Sequence, residues 1–184
     1  VLRKRSIWDA GETLTRKIAV AMWPHVKKAI QNRPEGKKGR YGEIIAKYVP
    51  HERLTDLSDK SDETASVYQQ CIGLADRLKC EYKSFIDGKI SEDFLFKING
   101  IVPYENINAQ DLPADVLKSV IDDYVGRQLD VLVEMEKEVL RLYQMPLDMI
   151  YLAGNSSKLQ RVWELAEERF GKRARYVGDK HTKE

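Results

Sequence analysis

The sequence predicts a helix-rich α/β chain with a small β-sheet and long helices. Three observations carry this. Long stretches place apolar residues every three or four positions, a short apolar run at Met149–Leu152 breaks at Gly154 ahead of another helical stripe, and a second short strand pattern lies near the C-terminus.

In chain order, Val1 to Ile7 alternates loosely, as the tail of a strand, and Asp9 to Thr13 reads as a turn feeding a helix. Leu14, Ile18, Ala21 and Met22 share one face of that helix. Pro24 should kink or restart it, since it donates no hydrogen bond and clashes with the carbonyl of Val20. Asn32 to Gly42, with three glycines, Pro34 and four basic residues, is loop chemistry, and Gly36-Lys37-Lys38-Gly39 lacks phosphate-loop spacing. A short helix over Gly42–Val49 ends at Pro50. From Ser61 or Asp62 a long helix begins, with Val67, Cys71, Leu74, Leu78, Tyr82 and Phe85 as its buried stripe and Gly88 at its close. Phe94 to Val102 is strand material with a hairpin signal at Asn99-Gly100. Asp111-Leu112-Pro113 opens the next helix. Its inward residues are Val116, Val120, Tyr124, Leu129, Leu132, Met135, Val139 and Leu142, and Gly126 is a point where it could divide. After the Met149 strand, Ser156 or Ser157 caps a helix with the stripe Leu159, Val162, Trp163, Ala166 and Phe170, which Gly171 stops. Ala174–Val177 is an edge strand ending at Gly178-Asp179.

The 184 residues fit one domain or two small subdomains and suffice for a core. A charge of +2, from 31 basic and 29 acidic residues, gives no field that argues for nucleic acid or a membrane as partner. Cys71 and Cys80, nine residues apart on one predicted helix, stand about 13.5 Å apart along its axis, too far for a disulfide. A reducing, cytoplasmic setting is expected. No apolar run reaches membrane-spanning length, and none follows Val1–Arg5 to make a signal peptide. The opening on Val inside a basic stretch reads as a domain cut from something longer.

A strand breaking at a glycine into a helix leaves backbone open at the carboxyl end of a sheet, beside helix N–H groups suited to polar or anionic ligands. Asp76, Lys79 and Lys83 lie three and four apart, opposite the apolar stripe of their helix. They are a solvated face with one ion pair, or acceptors and donors for a ribose and base held on a rigid element. His25, His51 and His181 show no metal-ligand spacing, so no metal site is expected. Ser156 and Ser157 lack the Gly-x-Ser-x-Gly pattern of a nucleophile.

These pieces resemble, in chain order, the actin-like ATPases, and most closely the nucleotide-binding domain of the seventy-kilodalton heat-shock chaperones. Ala10-Gly11-Glu12-Thr13-Leu14-Thr15-Arg16-Lys17-Ile18 resembles the family's Gly-Gly-Glu-Asp-Phe-Asp-Asn-Arg-Leu segment. Ala75-Asp76-Arg77-Leu78-Lys79-Cys80-Glu81-Tyr82-Lys83-Ser84 is similar to its Ala-Glu-Lys-Ala-Lys-Ile-Glu-Leu-Ser-Ser helix. Leu152-Ala153-Gly154-Asn155-Ser156-Ser157-Lys158-Leu159-Gln160-Arg161-Val162 resembles the adenosine motif Leu-Val-Gly-Gly-Ser-Thr-Arg-Ile-Pro-Lys-Val, and Tyr176-Val177-Gly178-Asp179 stands where the family has Asn-Pro-Asp.

The resemblance implies a ribonuclease H-like lobe II fragment. Residues 1–31 and 111–184 would form its core and 32–110 a helical subdomain with an inserted loop at 32–62. It implies ATP or ADP as ligand, with Mg only in the intact parent, and the parent's missing lobe I as partner, beside a possible protein client. Gly154, Asn155 and Ser156 would approach the nucleotide at the turn, Lys158 would stack near the base, Asp76, Lys79 and Lys83 would meet ribose and adenine, and Gly11 and Asp179 would lie on the pocket floor. Asn155 replaces the family's second glycine, adding a side chain that would narrow or repurpose the base pocket. The Asp-x-Gly-Gly-Gly-Thr phosphate motifs are absent from these residues. A lobe lacking them can hold adenosine but cannot transfer a phosphoryl group. The expectation is therefore an adenosine-binding lobe, catalytically silent alone. The alternative is a helical protein-interaction module without a nucleotide site. A nucleic-acid binder using Arg33, Lys37, Lys38 and Arg40 is disfavoured by the near-neutral charge.

Overall fold

A computed structural model describes residues 11–31, 62–90, 94–98, 101–107, 111–153 and 159–176. The elements in order are α1 (Gly11–Gln31), α2 (Asp62–Cys80), α3 (Tyr82–Ile86), β1 (Phe94–Ile98), β2 (Ile101–Ile107), α4 (Ala114–Tyr143), β3 (Ile150–Leu152), α5 (Gln160–Phe170) and β4 (Ala174–Tyr176). The chain is a helix-rich α/β protein. The expected strand at Val1–Ile7, the helix at Gly42–Val49, nearly all of the insertion and the Asn99-Gly100 turn lie outside the described residues. Contacts divide the chain into two units, Glu12–Val120 and Ile121–Glu184 with Val1–Gly11.

In the first unit α1 buries Leu14, Ile18, Ala19, Met22, Trp23 and Val26, and α2 buries Cys71, Leu74, Ala75 and Leu78. Each large aliphatic side chain withdrawn in this way contributes about 1.5–3 kcal/mol. Pro24 does not restart α1, which continues through it to Gln31. Pro24 itself is exposed. On that side, water can take the place of the missing N–H as donor to the Val20 carbonyl. The stripe begun on α2 continues through Tyr82 and Phe85, yet Glu81 separates α2 from α3. The Glu81 and Phe85 amides still bond the carbonyls of Arg77 and Glu81, at 2.8 and 2.9 Å, so the stripe stays in phase.

Gly88, at φ 67°, closes α3. Its amide bonds the Phe85 carbonyl at 3.0 Å and the Lys89 amide bonds the Ser84 carbonyl at 2.8 Å, the Schellman pair that satisfies a helix end. The two strands flanking Asn99-Gly100 pair antiparallel, with Phe94 opposite Ile107 and Phe96 opposite Glu105. The register shifts between Phe96 and Ile98. Pro103 lies on the facing stretch of β2 and has no N–H to give the ladder.

In the second unit β3 and β4 pair in parallel, Ile150 with Ala174, Tyr151 with Arg175 and Leu152 with Tyr176, connected through α5. Ile150 and Leu152 are buried and Tyr151 is exposed, the alternation of a strand covered on one face. Val162, Ala166 and Phe170 form the buried stripe of α5 as expected, while Trp163 is half-buried. Gly171 stops α5 at φ 57°.

The serine cap is corrected. The N-cap is Leu159, extended and without a side-chain cap hydrogen bond, and burial of its side chain rather than a hydroxyl fixes the helix start. Gly126 does not divide α4, which is continuous for 30 residues. The buried positions of α4 are Leu117, Ile121, Tyr124, Val125, Leu129 and Val139, with Val116, Val120, Leu132 and Met135 half-buried. Leu142 is 45% exposed, because the apolar stripe outruns what covers it.

Candidate functional site

The candidate site begins where β3 ends. Parallel strands present unpaired backbone at their carboxyl ends. Leu152 is the last residue of β3, the exposed Ala153 follows it, and α5 starts at Gln160. Gly154, Asn155, Ser156 and Lys158, and likewise Asp179, lie outside the described residues.

The remaining predicted residues belong to the helices. Gly11 is the first residue of α1 and is half-buried. Lys79 of α2 pairs with Asp76 at 2.6 Å and donates to Thr15 Oγ1 of α1 at the same distance. Thr15 Oγ1 lies 3.5 Å from Asp76 Oδ1. The Lys79 side chain is 16% exposed and that of Asp76 56%, so the ammonium is drawn toward the α1–α2 seam and the carboxylate faces solvent. Lys79 is therefore not on a fully solvated face opposite the stripe. It sits at its edge, beside Ala75 and Leu78, both fully buried. Lys83 is exposed. Thr15 went unnoticed in the sequence as a partner. Its signal was a hydroxyl at a buried position between Leu14 and Ile18, where an unpaired polar group would be costly.

The second unit carries polar chemistry that the sequence did not announce. Arg161, second residue of α5, grips Asp122 of α4 through two bonds, Nε to Oδ1 at 2.6 Å and Nη2 to Oδ2 at 2.9 Å. Glu164 adds a third contact at 3.0 Å, and the Arg161 side chain is only 14% exposed. Arg169 pairs with Asp130 and donates to the Gly126 carbonyl at 3.1 Å. Arg173 pairs with Glu136 and donates to the Leu147 carbonyl at 3.2 Å. The hydrogen bond to Glu136 raises the Arg173 guanidinium pKa above its ordinary value.

An open groove of about 380 Å³ is lined by Glu134, Lys137, Glu138 and Arg141. Four charged side chains of a single helix line an open surface, not the enclosed, mostly apolar pocket that holds a purine. Among the described residues no three His, Cys, Asp or Glu side chains are grouped to hold a metal. Among the same residues no helix is long and apolar enough to cross a membrane. Cys71 and Cys80 are both free thiols, the first buried and the second exposed.

Compared with protein-family models, curated proteins and solved structures, the chain matches none.

Proposed function

We propose that this chain is the adenosine-binding lobe of an actin-like, chaperone-type ATPase, silent in catalysis by itself. The observation that supports it is the parallel β3–α5–β4 unit, in which β3 ends at Leu152, two positions before Gly154 in the sequence. The base and α-phosphate would meet backbone at Gly154 and Asn155. The half-exposed Asp76 carboxylate, steadied by Lys79, suits a ribose hydroxyl. Magnesium and the phosphate clamps would come from a first lobe, whose closure on ATP completes the site.

An ADP titration followed by amide resonances tests this. At millimolar ADP the amides of Gly154, Asp76 and Lys79 shift, and Lys79→Ala weakens the effect. Shifts confined to residues 33–40 would reduce the observation to anion attraction and end the proposal.

A second reading, a protein-interaction module, is favoured by one observation. Leu140, Leu142, Tyr143, Met145, Met149 and Tyr151 are 44–64% exposed within twelve residues of sequence. Under this reading ADP moves no resonance, and Tyr143→Ser with Met145→Ser abolishes concentration-dependent association seen by light scattering.

A further inference from the structure

Three arginines on and after α5 meet three carboxylates on α4 in the same order, Arg161 with Asp122, Arg169 with Asp130 and Arg173 with Glu136. The first step is eight residues on both helices, so α5 runs alongside α4 in the same direction and in step. The register is specific. A slip of one turn one way would present Gly126, Glu134 and Leu140 to the three guanidinium groups; the other way it would present Lys118, Gly126 and Leu132. Two carboxylates are lost in the first case and all three in the second. The apolar stripe of α5 is Val162, Ala166 and Phe170, and the strands that α5 connects bury Ile150, Leu152 and Ala174. The α4–α5 links that set this register are charge-assisted, a two-bond fork at Arg161 and ion pairs at Arg169 and Arg173.

We propose that these three pairs form a register lock, with Arg161 as the positioning residue, that holds the β3–α5–β4 body at one place along α4. Arg161 is the natural control point because α5 has no side-chain N-cap, and its first turn is held by the burial of Leu159 and by this fork. Since Leu159 follows residue 158 directly, the lock also fixes one end of the segment proposed to receive adenosine. That last consequence rests on the functional reading above; the lock does not.

Amide hydrogen exchange on the full chain tests it. Asp122→Asn speeds exchange at residues 160–166 about tenfold and leaves residues 11–31 and 62–80 unchanged. Arg161→Lys, which keeps the charge and loses the fork, does the same. Raising salt to about 1 M speeds the same amides in the wild type, but not in Asp122→Asn/Asp130→Asn/Glu136→Gln. Equal acceleration in all segments, or none, overturns the lock. If the triple variant fails to fold, Arg161→Lys alone decides. Where the wild type responds to ADP, Asp122→Asn weakens that response at unchanged thermal midpoint. Where it does not, the adenosine reading fails and the exchange result still judges the lock.

Discussion

Thr15 shows how one side chain can join two helices. Thr15 is 4% exposed, and its hydroxyl accepts from Lys79, a group that belongs to another helix 64 positions later. Thr15→Val keeps the shape and removes the acceptor, so it should cost about 1–3 kcal/mol, read as a lower thermal midpoint. Gly126 behaves in the opposite sense. A Cβ there would meet Arg169 Nη2 at 3.5 Å, an ordinary contact, and the residue is interior to a helix. Gly126→Ala is expected to stabilise by up to about 1 kcal/mol by helix propensity, checked by chemical denaturation.

Cys71 adds a pH dependence at the same scale. Burial pushes its thiol above the ordinary 9.0. The native state holds the proton while the unfolded chain releases it, so stability is unaffected below pH 9.0 and falls as the pH rises further. Cys71→Ala should flatten this alkaline decline in denaturation midpoints. In a native thiol titration Cys80 reacts and Cys71 waits for unfolding.

At the scale of elements, Leu78 tests the seam between α1 and α2. It is fully buried, and Leu78→Ala should cost about 2–5 kcal/mol, measured by denaturant unfolding. The same stripe was legible in the sequence, since Cys71, Leu74, Leu78, Tyr82 and Phe85 repeat at helical spacing and burial enforces that period. Gly88 and Gly171 were legible as stops, because a left-handed residue after a helix favours glycine. Other features were not. Pro24 suggested a kink or a restart, and the restart does not occur, because on an exposed face the lost hydrogen bond is cheaply replaced by water. Ser156 and Ser157 looked like caps, whereas burial of Leu159 set the helix start. Lys79 looked solvated, because its partner on α1 is invisible to local spacing. The arginine pairs were hidden for the same reason, lying 37 and 39 positions apart.

Among the described residues, polar links join elements distant in sequence in each unit. The Asp76–Lys79–Thr15 cluster links two helices in one unit, and the three arginine pairs link α4 to α5 in the other. Screening should therefore loosen the half-exposed links more than the apolar stripes. Proteolysis in rising salt is expected to cut first within residues 153–176, before α1 or α2, which mass spectrometry of the fragments would show. For the candidate site, the end of β3 was the part legible in the sequence, because a short apolar run before a glycine announces a strand end.

The three residues from Gly171 to Arg173 hold one more consequence. They end α5, deliver Arg173 to Glu136 and open β4, so their number is as constrained as their chemistry. Adding a single residue after Arg173 would invert the parity of the following strand. Ala174, 5% exposed, would swing to the open side and Arg175 would take the inward place opposite Leu152. Length, in this bend, is itself a form of specificity.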